Sequence, residues 1–98
     1  MLSHTVCFKM KPYADGKNKG ENLILLEKEL TKLPANISQI KAYNFALNEK
    51  GGKYDAVLVE LFDDEAALEI YKKHPTHLEI VDLINKICEE MVEVDNLF

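Results

Sequence analysis

The nine residues "YDAVLVELF", positions 54–62, restrict the fold more than any other stretch of this chain. Val57, Val59 and Leu61 alternate with Ala56, Leu58 and Phe62, so a strand here carries apolar side chains on both of its faces. Each face then needs a cover. A chain of 98 residues with 47% hydrophobic content is the size of one ordinary globular core, and two domains would each be too small. We therefore expect a single domain over residues 1–98.

The flanking segments supply the other elements. "SHTVCFKMK" places His4, Val6, Phe8 and Met10 on one face and Thr5, Cys7 and Lys9 on the other, which predicts a first strand. After the turn material "PYADGKNKG", the run "ENLILLEKELTKL" spaces Leu23, Leu26, Leu30 and Leu33 as an amphipathic helix that stops near Pro34. "NISQIKAYNFALN" predicts a second strand with Ile37, Tyr43, Phe45 and Leu47 on one face and Ile40, Ala42 and Ala46 on the other. "DDEAALEIYKK" has Asp63 as its cap candidate, acidic residues first and lysines last, the charge order that the helix dipole favours. Pro75 suits the first position of a further helix, "THLEIVDLINKICEE", with His77, Val81, Ile84 and Cys88 on one face. "EMVEVDN" closes as a short strand.

The order strand, helix, strand, strand, helix pair, strand predicts an α+β chain. A ferredoxin-like split βαβ arrangement fits it best, with a four-stranded antiparallel sheet and the helices on one face. Helices on one face leave the two-sided strands uncovered on the other, and an open apolar sheet face of this kind marks a partner surface. The expected partner is a second copy, packed sheet to sheet with two-fold symmetry into an α+β barrel. The alternative is a monomer whose second face is covered by residues 12–20 and the C-terminal "NLF".

Charge and cysteine usage narrow the function classes. Twelve Lys and Arg against 17 Asp and Glu give a formal charge of -5, and the scattered basic residues argue against a nucleic-acid surface. No window approaches the roughly 20 apolar residues that cross a bilayer, and the N-terminus lacks the apolar run of a secretory signal. These features predict a cytoplasmic protein that engages no membrane. Cys7 and Cys88 lack CxxC or zinc-ligand spacing and are expected as free thiols in a small apolar role.

The residues with acid, base or hydrogen-bonding chemistry gather around "YKKHPTHLEIV", 71–81. His77 shares a helix face with Val81 and Ile84, so its ring should point inward, where it must find a hydrogen-bond partner or line a cavity. Tyr71 could supply a hydroxyl beside it for taking and returning a proton, and His4 looks into the same space if its side chain faces the helices. The plainer alternative is a helix junction tied by Tyr71 and His77, with Pro75 setting the angle, Thr76 satisfying free backbone donors and His74 at the junction. His74 and His77 are three apart, but Pro75 interrupts the helix that would align them, and no metal site is expected. Nucleotide-binding glycine loops and nucleophile turns are absent.

"HTVCFKMK", "YDAVLVELFDDEAALEIYKKHPTHLEIVDLI" and "VEVDN" together resemble the Dabb family, the stress-responsive A/B barrel domain, over nearly the whole chain. The resemblance implies a ferredoxin-like fold and sheet-to-sheet dimers. The family's best-known activity is an aldol-type polyketide cyclisation without metal or organic cofactor. The resemblance places the catalytic pair of that activity on Tyr71 and His77, the N-terminal pocket histidine on His4 and the first histidine of the motif on His74. The chain departs from many members at Ala46, where glycine is common.

Two functions from different classes follow. One is a homodimeric domain with an internal pocket for a small hydrophobic or aromatic ligand. The other is a cofactor-independent cyclase or isomerase, with His77 and Tyr71 as base and acid. A monooxygenase or haem-degrading role on a similar fold is disfavoured by the absence of Trp and of a haem motif.

Overall fold

A computed structural model describes residues 1–98. Two strands alternate between deeply and partly buried side chains and pair antiparallel in the middle of a four-stranded sheet: β1 (Leu2–Met10) and β5 (Ala56–Phe62). β4 (Ala42–Leu47) forms one edge and β6 (Cys88–Leu97) the other, giving the order β4-β5-β1-β6. All helices lie on one face. α1 (Lys19–Leu30), α2 (Lys32–Asn36), α3 (Glu65–Lys73) and α4 (Pro75–Ile87) bury Leu26, Leu30, Leu33, Leu68, Ile80, Ile84 and Ile87 against Val6, Phe8, Leu58 and Phe62 of the sheet. This is the expected ferredoxin-like α+β architecture.

Between β1 and α1 a two-residue hairpin joins β2 (Tyr13–Ala14) to β3 (Lys17–Asn18), with Asp15 and Gly16 both at positive φ, as a turn matched to strand twist requires. The fully buried Asn22 donates to the carbonyls of Ala14 and Lys17 and pins this hairpin to α1. Asn18 caps α1 in a reciprocal box with Glu21.

Several boundaries differ from the sequence reading, each for a local reason. The first helix breaks at Thr31, and Pro34 lies inside the first turn of α2, where its missing N–H would have had no partner anyway. Ile37 is not on the second strand. It caps α2 and fills the core beside Leu33, each 1% exposed, so its burial needs no strand there. Asp64, not Asp63, caps α3 by accepting from the Ala67 N–H at 2.9 Å. α4 stops at Ile87, and Cys88 begins a strand of ten residues, longer than expected.

The second sheet face is open. Val57, Val59 and Leu61 of β5 lie half-buried beside Cys7 and Thr5 of β1, while Val94 of β6 is 56% exposed. The hairpin packs instead on the helix side, through Asn22, and Phe98 is 68% exposed, so neither segment covers this face. No helix is long and apolar enough to cross a membrane.

Candidate functional site

One rung of the sheet carries the polar groups of the interior. Backbone register sets Tyr43, Glu60, His4 and Asp95 side by side across β4, β5, β1 and β6, all on the helix-covered face. Glu60 is 0% and His4 2% exposed. The His4 ring meets Asp95 through Nδ1 at 2.5 Å, and a carboxylate acceptor assigns that nitrogen the proton.

The helix pair supplies the other two groups. Tyr71 sits in the last turn of α3, 2% exposed, and donates its hydroxyl proton to Glu60 Oε1 at 2.7 Å. His77 lies in the first turn of α4, where Nδ1 is 3.1 Å from the Lys72 carbonyl oxygen. A carbonyl only accepts, so Nδ1 carries the proton and Nε2 keeps a free lone pair. The rings of Tyr71 and His77 are 4.4 Å apart between centroids, and those of Tyr71 and His4 6.0 Å. Phe62 backs the phenol at 5.0 Å.

Burial dominates the electrostatics. It pushes the Tyr71 hydroxyl far above the ordinary phenol range, with the Glu60 carboxylate adding to the effect. Burial likewise raises the Glu60 carboxyl, while the Tyr71 hydrogen bond and His4 pull it back down. His77 is lowered by burial against the opposing Lys72 carbonyl, so its ring is neutral at pH 7. Two polar atoms of the same rung, Glu60 Oε2 and the Tyr43 hydroxyl, have no hydrogen-bond partner.

His4, Tyr71 and His77 border one cavity of about 30 Å³ between the sheet and α4, completed by aliphatic side chains and by Met91 and Glu93 of β6. That is room for about one water molecule. A larger surface hollow of about 190 Å³, between α1 and α4, is bordered by Glu29, Lys32 and Glu79 and lacks any histidine or tyrosine. The tyrosine and histidine side chains therefore lie at the small cavity and not at the surface hollow.

Of the residues singled out from the sequence, three come together and one stands apart. The His74 ring accepts the Thr76 N–H at 3.1 Å and caps α4, a role expected of Thr76, and it is not among the groups that border the cavity. Glu60 and Asp95 were not anticipated. Glu60 had a visible signal, since it is the one carboxylate at an inward position of "YDAVLVELF". Asp95 had none, because its place opposite His4 depends on how β6 registers with β1. No cluster of three or more His, Cys, Asp or Glu side chains is arranged to hold a metal ion.

Known proteins share this fold. The solved structures that it resembles include a dimeric protein of unknown function with a ferredoxin-like fold from Bacteroides fragilis, 27% identical, covering 99% of this chain and 95% of that one with a TM-score of 0.81. A dimeric ferredoxin-like protein of unknown function from Thermobifida fusca is 25% identical over 99% of this chain and 90% of that one, with a TM-score of 0.84. The hydroxynitrile lyase of Passiflora edulis shares the fold at 13% identity, covering 99% of this chain and 92% of that one, with a TM-score of 0.83. No curated protein matches. The family model for the stress-responsive A/B barrel domain matches residues 2–97. The chain therefore belongs to the Dabb family.

Proposed function

We propose that this protein is a homodimeric domain spanning residues 1–98 whose internal cavity binds a small hydrophobic or aromatic ligand next to Tyr71, His77 and His4. The observation that carries this reading is the buried cluster itself. A phenol, two imidazoles and Glu93 border a mostly aliphatic cavity, and such convergent polar groups, with the Tyr71 and His77 pKa values perturbed, mark binding sites. A benzene-sized guest needs on the order of 150 Å³, so the cavity of about 30 Å³ must open to admit one. The opening lies at Met91 and Glu93, which are exposed on β6, and a methionine repacks at low cost. His74 contributes by capping α4 and so holding His77 in place.

The dimer forms through the open sheet face, where Val57, Val59, Leu61 and Val94 find a partner in a second copy. The dimeric relatives from Bacteroides fragilis and Thermobifida fusca support this.

A second reading is proton transfer in a cofactor-independent cyclase or isomerase. It is favoured by His77, a neutral ring with its tautomer set and Nε2 free to take a proton next to a carbonyl. In that reaction Tyr71 must turn its proton from Glu60 to the developing enolate, which leaves a buried carboxyl unpaired. That cost ranks turnover below binding.

The test is a thermal-shift screen against small aromatic compounds, repeated with Tyr71→Phe and His77→Ala. A ligand at a hundredfold over its Kd adds roughly 2.7 kcal/mol of stability. Stabilisation that vanishes in both variants supports the pocket, and stabilisation unaffected by either places binding elsewhere. For turnover, a pH-rate profile that loses its fall at low pH in His77→Ala is expected. Sedimentation should show a dimer that Val59→Asp dissociates.

A further inference from the structure

Tyr71 and His77 hold their protons away from the cavity. Tyr71 gives its hydroxyl proton to Glu60, His77 gives its Nδ1 proton to the Lys72 carbonyl, and His4 gives its Nδ1 proton to Asp95. What remains for a guest is the Tyr71 oxygen lone pair and the His77 Nε2 lone pair, both acceptors. Glu93, at the mouth, is a further acceptor, and no Lys, Arg, Ser, Thr, Asn, Gln or Trp borders the space. The surroundings are also negative. Glu60 lies fully buried behind Tyr71 with Oε2 unpartnered, and Asp95 stands behind His4.

We propose, building on the pocket reading above, that the cavity selects a neutral aromatic or enolic hydroxyl, a hydrogen-bond donor, over a bare carbonyl or a carboxylate. A hydroxyl entering this space finds acceptors for its proton. A carbonyl finds no donor, and burying it unpaired is unfavourable. It can take the Tyr71 proton only by stripping Glu60 of its partner, which leaves both oxygens of a fully buried carboxyl unpaired. A carboxylate meets Glu93 at the entrance, with Glu60 behind Tyr71 and Asp95 behind His4, and no Lys or Arg borders the cavity to offset them.

Probes matched in size and differing only in this property test the proposal: phenol, benzaldehyde, benzoate and toluene, titrated into the wild-type protein by NMR with the Tyr71 and His77 ring signals as reporters. Phenol should bind about tenfold more tightly than benzaldehyde or toluene, and benzoate most weakly. Benzaldehyde or benzoate binding as tightly as phenol overturns the donor preference and leaves the pocket standing. Failure of all four to move either ring overturns the pocket and this proposal together. In Glu60→Gln the amide can donate to the Tyr71 oxygen and turn the phenol proton toward the cavity, so the preference for phenol over benzaldehyde should fall toward unity. An unchanged preference in the folded variant removes Glu60 from the account. Glu93→Gln, on the exposed strand, tests the charge without touching the core: benzoate should gain roughly threefold relative to phenol, and no relative gain refutes the electrostatic part.

Discussion

Tyr71→Phe deletes one hydroxyl and leaves the ring in place between His77 and Phe62, so its effect isolates the hydrogen bond to Glu60. Glu60 Oε2 already has no partner, and the substitution removes the partner of Oε1 as well. A buried carboxyl deprived of a hydrogen bond loses about 1–3 kcal/mol. In a chain of this size each kcal/mol lowers Tm by roughly 4–8 °C. The loss also depends on pH, with a sign that the electrostatics dictate. Burial raises the folded-state carboxyl above its unfolded value, so its contribution is fully present below the unfolded pKa and declines as pH rises through the folded pKa. Tyr71 opposes that rise, and without it the folded pKa climbs further. The variant should therefore lose more stability at pH 8, where the carboxylate must be buried charged, than at pH 5, where it can stay protonated. Urea unfolding of both proteins at the two pH values, at one fixed protein concentration, measures this directly. Equal losses at pH 5 and pH 8, or a loss below about 0.5 kcal/mol at both, would falsify the assignment of Tyr71 as the partner that keeps Glu60 tolerable in the core.

Three other outcomes are expected. Asp64→Ala should destabilise by about 0.5–2 kcal/mol through loss of the α3 cap, while Asp63→Ala, at the surface near Lys41, should stay within about 0.5 kcal/mol in thermal melts. Burial pushes the Cys88 thiol up to about 11, so iodoacetamide at pH 8 should leave it unmodified in the folded protein and label it in urea, as peptide mapping will reveal. Phe8→Ala, at a position with no exposed surface, should cost about 3–5 kcal/mol by denaturant unfolding, and a much smaller loss would mean that the core between α1 and the sheet collapses around the gap.

Much of the fold was legible because its signals are local. Alternation in "YDAVLVELF" and "HTVCFKM" is visible residue by residue, and burial in the structure follows it along β5 and β1. The Tyr71 and His77 positions were legible for the same reason, since helix periodicity alone turns His77 inward with Val81 and Ile84. Errors arose where one residue could satisfy the same physics in two ways. Ile37 is apolar and must be buried, but a helix cap buries it as well as a strand does. Asp63 and Asp64 are equally good caps by composition, and the path of the chain leaving β5 chooses the second.

The order of elements and the two-sided apolar pattern of "YDAVLVELF" are properties of the sequence by itself, because side-chain periodicity and turn chemistry act over a few residues. They were enough to predict the split βαβ arrangement and an uncovered sheet face. The chemistry inside the helix-covered face is another matter. Glu60 and Asp95 lie 56 and 91 residues from His4 along the chain, and only strand register sets the three on one rung. The direction in which Tyr71 and His77 give their protons was equally out of reach, since it depends on which acceptors the packing of α3 and α4 onto the sheet brings within hydrogen-bond distance. Local periodicity says which side chains turn inward; long-range pairing decides what they meet there.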